Sequence, residues 1–301
     1  MLSAKHTPAA PLAPFVANLW SLNDEPRHAK ERIIPSGTLE LVINLAEDEF
    51  RIYDALDSES CRRFSGAIVS GAYEKFFVID TAQHASVIGV HFKPNGAYPF
   101  LGIPPGALAA THVDLETLWG SPARELRHML CLARTPAHRF QILEKALMAR
   151  LTRPTRQHDA VAVAVNQLHG GTPVRDVVEH AGLSHRRFIE IFTAQVGMTP
   201  KLFSRVQRFQ RASSLTLRQG SPDWSNVAVE CGYCDQSHLI RDFIAFSGFS
   251  PVDFLRHSVP ELKENHLALL DGRGSNSSNT KVESASMLFV EKSHGHSPKK
   301  V

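Results

Sequence analysis

GLSHRRFIEIF (182–192) and GYCDQSHLIRDF (232–243) write one pattern twice, fifty residues apart. Each begins with a glycine and an apolar anchor, Leu183 or Tyr233. A polar run follows, then apolar residues one helical turn apart: Phe188 and Phe192, Leu239 and Phe243. Side chains four residues apart share one helix face, so each stretch reads as a turn opening a helix buried along one stripe. The repeat extends upstream. GTPVRDVVEHAGL from Gly171 and GSPDWSNVAVECGY from Gly220 each start with a hydroxyl residue (Thr172, Ser221) as the expected cap and a proline for the first turn. Apolar positions then recur at helical spacing: Val174, Val177, Val178 and Ala181 in one copy, Trp224, Val227, Ala228 and Cys231 in the other. Gly182 and Gly232 stop these helices. Downstream, Gly197 and Gly248 each precede a hydroxyl–proline pair, Thr199-Pro200 and Ser250-Pro251. Two units of helix, tight turn and helix result.

The second helix of each unit buries one face and exposes the other. Opposite Phe188 and Phe192 lie Arg186 and Glu190, flanked by His185 and Ile189. Opposite Leu239 and Phe243 lie Ser237 and Arg241, flanked by Gln236 and His238. Arginine suits guanine, glutamine suits adenine, and serine suits several acceptors, so these faces can read base edges. The competing reading is a solvated helix face, which duplication disfavours. Between the units, TPKLFSRVQRFQRASSLTLRQG (199–220) carries an apolar stripe of Leu202, Val206 and Phe209. Lys201, Arg205 and Arg208 form a basic stripe beside it, expected to meet phosphates. Roughly ten to fifteen helical residues there would separate the units by ~20 Å or more. From Arg156 to Arg256 there are eleven Lys/Arg and nine Asp/Glu, a balance of +2. Binding should therefore rest on specific contacts as well as on bulk attraction.

With these features in place, residues 158–257 resemble the DNA-binding domain of the AraC/XylS family of bacterial transcription regulators. GYCDQSHLIRDFIAFSGFSPVDFLR (232–256) carries the likeness: Gly-Tyr, Asp-Gln-Ser, Gly-x-Ser-Pro, and an aromatic ahead of Arg256. The resemblance implies seven helices, with two helix-turn-helix units around a linker helix. It places base-reading positions on Arg186, Ile189 and Glu190 in the first unit, and on Gln236, Ser237, His238 and Arg241 in the second. It also implies double-stranded DNA and RNA polymerase as partners. Two residues depart from the pattern. Glu190 stands where the family often has arginine, which leaves cytosine recognition or a salt bridge to Arg186. Val178 stands where a small alanine is usual.

The rest of the chain reads as a different class. The 301 residues suffice for two domains, each with its own core. From about Leu12 to Gly120, runs at 38–47, 49–56, 66–71, 75–80 and 85–92 alternate as strands between turn residues. Helices follow in SPARELRHMLCLA, with Ser121 as its expected cap, and in TPAHRFQILEKALMARL, with Thr135. The expected fold is therefore α+β: an N-terminal β-rich domain (1–150) for sensing or dimerisation, a linker (151–157), the all-α domain with two helix-turn-helix units (158–257), and a disordered tail (261–301). IPSGTLELVINL (34–45) and VIGVHFKPNGAYPFLGIP (87–104) resemble the cupin-like input domains of the same family. Such a domain implies a small effector or a homodimer. On strand 85–92, His91 is a candidate pocket residue, with His84 or His112 near it.

Catalytic chemistry is hard to place. Four scattered cysteines do not make a disulfide framework. Cys231-x-x-Cys234 lacks the further ligands of a zinc site and the βαβ setting of a redox motif. Cys231 aligns with Ala181 and reads as a small buried hydrophobe, and the His pair in SHGHSP (293–298) reads as tail. No metal, cofactor or enzyme activity is expected. The N-terminus has no apolar core of signal-peptide length, and no apolar run approaches a membrane helix, so a cytoplasmic protein is expected. The leading reading is a sequence-specific transcription regulator responding to a small molecule. The alternative is a cupin-like enzyme or redox protein with a helical interaction module.

Overall fold

Alternation decides the strands. In 86–92, Val87 joins one apolar cluster, while Ile88, Val90 and Phe92 join another. A strand with both faces buried must lie between two layers. The computed structural model describes residues 2–23, 29–55, 60–151, 158–220, 222–258 and 265–269. In chain order these form β1 (Leu2–His6), β2 (Val16–Asn23), β3 (Lys30–Ile33), β4 (Glu40–Asn44), β5 (Phe50–Tyr53), β6 (Cys61–Phe64), β7 (Ala67–Ser70), β8 (Phe77–Asp80) and β9 (Ser86–Phe92). Then come α1 (Tyr98–Leu101), a 3-10 turn (Pro105–Leu108), β10 (His112–Asp114), α2 (Leu115–Trp119), α3 (Ser121–Leu132) and α4 (Pro136–Arg150). The five strands expected from the sequence are β4, β5, β7, β8 and β9.

Two antiparallel sheets result, with strand orders β1-β2-β9-β4-β7-β10 and β3-β8-β5-β6, the latter extended by a final strand described below. Trp20, Val42, Phe50, Ile52, Ile68, Ile79 and Val87 fill the space between the sheets. Trp20 pairs with Gly89 across β2 and β9, and a Cβ at Gly89 would lie 2.4 Å from the indole. Only glycine lets the ring lie flat there. The other face of the larger sheet carries Leu41, Ile43, Val69, Ile88 and Val90, which share a core with Leu126, Leu130, Leu143 and Leu147 of α3 and α4. Thr135 caps α4 by accepting from the His138 N–H at 3.3 Å. Ser121 does not cap α3. It lies inside the helix, and Gly120 at φ +69° holds the cap position.

The C-terminal region is helical: α5 (Asp159–His169), α6 (Val174–His180), α7 (His185–Val196), α8 (Pro200–Gln219), α9 (Trp224–Glu230), α10 (Gln236–Ser247) and α11 (Pro251–His257). These are the seven helices the resemblance implied. The linker helix α8 has twenty residues rather than ten to fifteen, so its length is about 30 Å. Its weakly apolar second half, ASSLTLRQ, hid the extension; Ala212, Ser213 and Thr216 are nevertheless buried. Nor does the β-rich half keep a core to itself. Its outer apolar layer runs without interruption into Phe192, Phe203, Phe209, Phe243 and Phe254 of the helices.

One part of the expected tail is ordered. His266–Leu269 forms β11, antiparallel to β3, with His266 opposite Ile33 and Leu269 opposite Lys30. Composition over a long polar window concealed this short apolar run. Leu267 and Ala268 are buried, Ile34 N–H donates to the Asn265 carbonyl at 2.9 Å, and His266 meets Glu31 at 2.5 Å. The strand occupies the open edge of β3, where unpaired backbone groups await a partner. The expected linker at 152–157, the cap Ser221, the remaining tail and its His pair lie outside the described residues.

Candidate DNA interface

Each unit is built by caps at both ends of its second helix. Ser184 Oγ accepts from the Arg187 N–H at 3.3 Å at the start of α7, and Asp235 Oδ1 accepts from the His238 N–H at 2.7 Å at the start of α10. At the far ends, Gly197 (φ +92°) and Gly248 (φ +72°) take the left-handed conformation that closes a helix. The first helices begin later than expected. Pro173 precedes α6 without a side-chain cap, so Thr172 is not its cap. Asp223 caps α9, accepting from the Ser225 and Asn226 N–H groups. The match between the two hydroxyl–proline triplets points to Ser221 and away from the carboxylate two residues on.

Phe188, Phe192 and Val196 of α7 are buried, as are Leu239, Phe243 and Phe246 of α10. The opposite faces point to solvent. Arg186 is 91% exposed, and its Nε lies 3.0 Å from Glu190 Oε1, which is the salt bridge named as one outcome for that glutamate. Arg187 reaches the other Glu190 oxygen at 3.6 Å. Arg187 lies outside the expected set, although an arginine beside Arg186 at the helix start is a visible signal. Ile189 is half-buried. On α10, Gln236, Ser237 and Arg241 are exposed, while His238 is half-buried and edge-on to the Tyr233 ring at 5.1 Å. Among the described residues Arg241 joins no ion pair.

Residues 177–257, which hold these two units, match a family described as a helix-turn-helix domain. Residues 177–257 thus hold a helix-turn-helix domain. Residues 4–114 match a second family, described as a domain of unknown function (DUF6597). An uncharacterised HTH-type transcriptional regulator of Haemophilus influenzae is 28% identical over 118 residues, which is 39% of this chain and 39% of that protein. The match thus spans well under half the length of that relative. Among solved structures, ToxT from Vibrio cholerae O395 gives a TM-score of 0.40 at 9% identity, covering 79% of this chain and 95% of that one. Unsaturated fatty acid bound wild-type ToxT from Vibrio cholerae strain SCE256 gives 0.39 at 11% identity, covering 80% and 94%.

Within the helix-turn-helix domain the basic stripe on α8 divides. Lys201 is exposed. Arg208 lies 5.2 Å from the Tyr233 ring. Arg205 turns inward: its Nη2 meets Asp242 Oδ1 at 2.5 Å, and its guanidinium lies over Phe246. Asp242 is buried on α10, and a buried carboxylate demands a cation. The phosphate contact expected of Arg205 therefore gives way to a bond between α8 and α10. Cys231 is buried at the end of α9, and burial pushes its thiol pKa up; Cys234 is exposed in the turn, and both thiols are free.

The domain's N-terminal neighbour holds a small cavity between its sheets. Trp20, Ile33, Val42, Ile52, Ile68, Phe77 and Ile79 supply the apolar lining, and Glu40, Ser70, His84, His112 and His266 the polar groups. His112 is buried, with the Tyr73 hydroxyl at Nδ1 and the Ser70 hydroxyl 3.3 Å from Nε2. Desolvation holds its pKa down at about 3, so the ring is neutral at physiological pH. His91, the residue singled out from the strand pattern, does not line the cavity itself but bonds Thr38 at 2.9 Å and, at 3.0 Å, Glu40 of its wall. Strand alternation identifies the correct face but not what covers it.

Proposed function

We propose that the protein is a sequence-specific, DNA-binding transcription regulator whose N-terminal β domain responds to a small effector. One observation carries the reading: two helix-turn-helix units share a scaffold of caps and buried aromatics yet expose different side chains at the starts of their second helices. Arg186 and Ile189 in α7, and Gln236, Ser237, His238 and Arg241 in α10, are the base-reading set, with Arg187 added and Glu190 restraining the two arginines. Lys201 and Arg208 remain the phosphate contacts on α8. The apolar walls of the cavity between the sheets suit a small, largely apolar effector. Recruitment of RNA polymerase, a homodimeric working form, a cytoplasmic location and the lack of a catalytic role belong to the same reading. Among the described residues no helix is long and apolar enough to cross a membrane.

Genome-wide mapping of bound sites tests it. A shared motif with two subsites about one helical turn apart is the expected outcome, since readers on one DNA face recur at that spacing. Binding without any enriched motif would sink the proposal.

A further inference from the structure

One short segment of the β domain touches all three parts of the DNA-reading machinery. From β3 onward, Arg32 donates from Nη1 to the Ser247 carbonyl at 3.0 Å, at the C-terminal end of α10. Its guanidinium is sandwiched between Phe76, at 4.3 Å, and Phe249, at 3.9 Å. Three residues on, the Pro35 and Ser36 carbonyls accept from Gln210 Nε2 at 2.6 Å and Gln207 Nε2 at 3.0 Å, both on α8. A Cβ at Gly37 would meet Gln207 at 2.7 Å. Leu39 then reaches the C-terminal end of α7: a Cβ on Gly197 would lie 3.7 Å from its Cδ1 and 3.2 Å from Ala72.

The two ends are equivalent positions of the repeat. Gly197 and Gly248 are the left-handed caps of α7 and α10, and each is seated against the β domain. At Gly248 a Cβ would meet Phe76 at 2.5 Å and Arg32 at 2.7 Å. Close to Gly197, a Cβ on Gly106 would lie 2.7 Å from the Thr193 carbonyl. The β domain thus grips both recognition helices at the end away from the DNA face and leaves their first turns open. The residue after Arg32 faces the other way. Ile33 lines the cavity between the sheets, because successive strand residues point to opposite sides.

We propose that residues 32–39 are a yoke that sets the distance and angle between α7 and α10, with Arg32 as its positioning residue. The proposal rests on the function given above. A helix pair held only by α8 could twist about that single rod. A second attachment at both helix ends fixes the pair, so the protein should prefer one spacing between its two DNA subsites. The burial of Arg32, with its pKa held down to about 10, leaves it charged and costly to place, which fits a part whose geometry matters.

The test uses the full chain and DNA carrying the motif selected by the parent protein, with affinities measured by fluorescence anisotropy. Three duplexes are compared: native spacing, one base pair inserted between subsites, and a single subsite. The parent should lose about tenfold on the insertion, within the usual range of coupling between sites. Arg32→Ala should lose about tenfold on native spacing, keep its single-subsite affinity, and show an insertion penalty of about twofold or less. Arg32→Lys should restore part of the penalty, since lysine can still donate to Ser247. If Arg32→Ala fails to fold, Gln210→Met tests the same yoke from α8 and should flatten the spacing preference in the same direction. An unchanged spacing penalty in a folded variant overturns the yoke, and so does tighter binding, which would make the contact inhibitory. Equal weakening on all three duplexes also overturns it. A parent that binds no DNA defeats the function itself and the yoke with it.

Discussion

The two helix-turn-helix units agree inside and disagree outside. The opening Gly-hydroxyl-Pro triplets match at an offset of forty-nine residues; the first helices match at fifty, as Gly182 matches Gly232; beyond the turn the offset is fifty-one, as Gly197 matches Gly248. The second turn is therefore one residue longer. Across the longer offset Phe188 corresponds to Leu239, and Phe192 to Phe243. Outside, Arg186 corresponds to Ser237, Arg187 to His238 and Glu190 to Arg241. The first unit presents two arginines tied to one glutamate, whereas the second presents an arginine beside neutral side chains. Packing tolerates only small changes in volume and shape, so the buried set is held alike. Exposed positions carry no such constraint, and there the two readers can diverge.

The largest test strikes the shared interior. Phe243 packs edge-on against Phe209, Phe254 and Trp224, with ring centroids 5.1, 5.2 and 6.3 Å away. Among the aromatic pairs of the described residues, Phe188 meets only Phe192, at 5.7 Å. Phe243→Ala should destabilise the protein by about 3–5 kcal/mol in urea unfolding, and Phe188→Ala by less, towards about 3 kcal/mol. Equal losses would mean that the aromatic cluster around α8 and α11 contributes nothing beyond area.

Next comes the exposed difference. Arg241→Ala should weaken binding to the selected motif by roughly 1–3 kcal/mol and relax preference at one base position. Arg186→Ala should cost less, because Glu190 already holds that guanidinium. The comparison breaks if anisotropy shows the two arginines to be equivalent. A loss that is uniform over random sequences would turn Arg241 into a phosphate contact.

The caps give a smaller contrast. Asp235 places a negative charge and a 2.7 Å acceptor at the start of α10, while Ser184 offers a neutral acceptor at 3.3 Å. Asp235→Ala should cost about 1–1.5 kcal/mol and Ser184→Ala about 0.5–1 kcal/mol, from thermal unfolding. A larger loss at Ser184 would show that charge at the helix start is of no consequence here.

Local patterns were the legible part. Period-four apolar pairs, glycine stops and hydroxyl–proline starts located α7, α8, α10 and α11, because helix geometry is dictated by neighbours in sequence. Phe188 and Phe243 could be placed inside from spacing alone. What depended on distant partners stayed hidden. Nothing near Arg205 reveals that Asp242 lies beneath it, and nothing near His266 announces the open edge of β3. His91 and His112 show the same limit. Both sit on strands, but only the fold decides that Tyr73 and Ser70 enclose one while Thr38 and Glu40 satisfy the other beside the cavity wall. Arg32 was invisible for the same reason: its partners, Phe249 and Ser247, lie more than two hundred residues away.

Glu190 offers the smallest effect and the sharpest distinction. Exposed pairs one turn apart are worth about 0.2–0.5 kcal/mol, so Glu190→Gln should barely change stability. Its effect on DNA binding depends on what the carboxylate does in the complex. If it only restrains Arg186 and Arg187, neutralising it frees both for phosphates. Affinity for random duplex should then rise about two- to threefold, and the salt dependence should steepen by about one released counterion. Affinity for the selected motif should rise in parallel. If Glu190 instead accepts from a cytosine amino group, random-sequence affinity still rises, because a negative charge has gone, but affinity for the motif falls and preference at one position is lost. The first unit, with its ion pairs already formed in the free protein, favours the restraining role. Its Arg186 should therefore gain reach when Glu190 is neutralised, and the ratio of motif to random affinity should stay within about twofold of the parent.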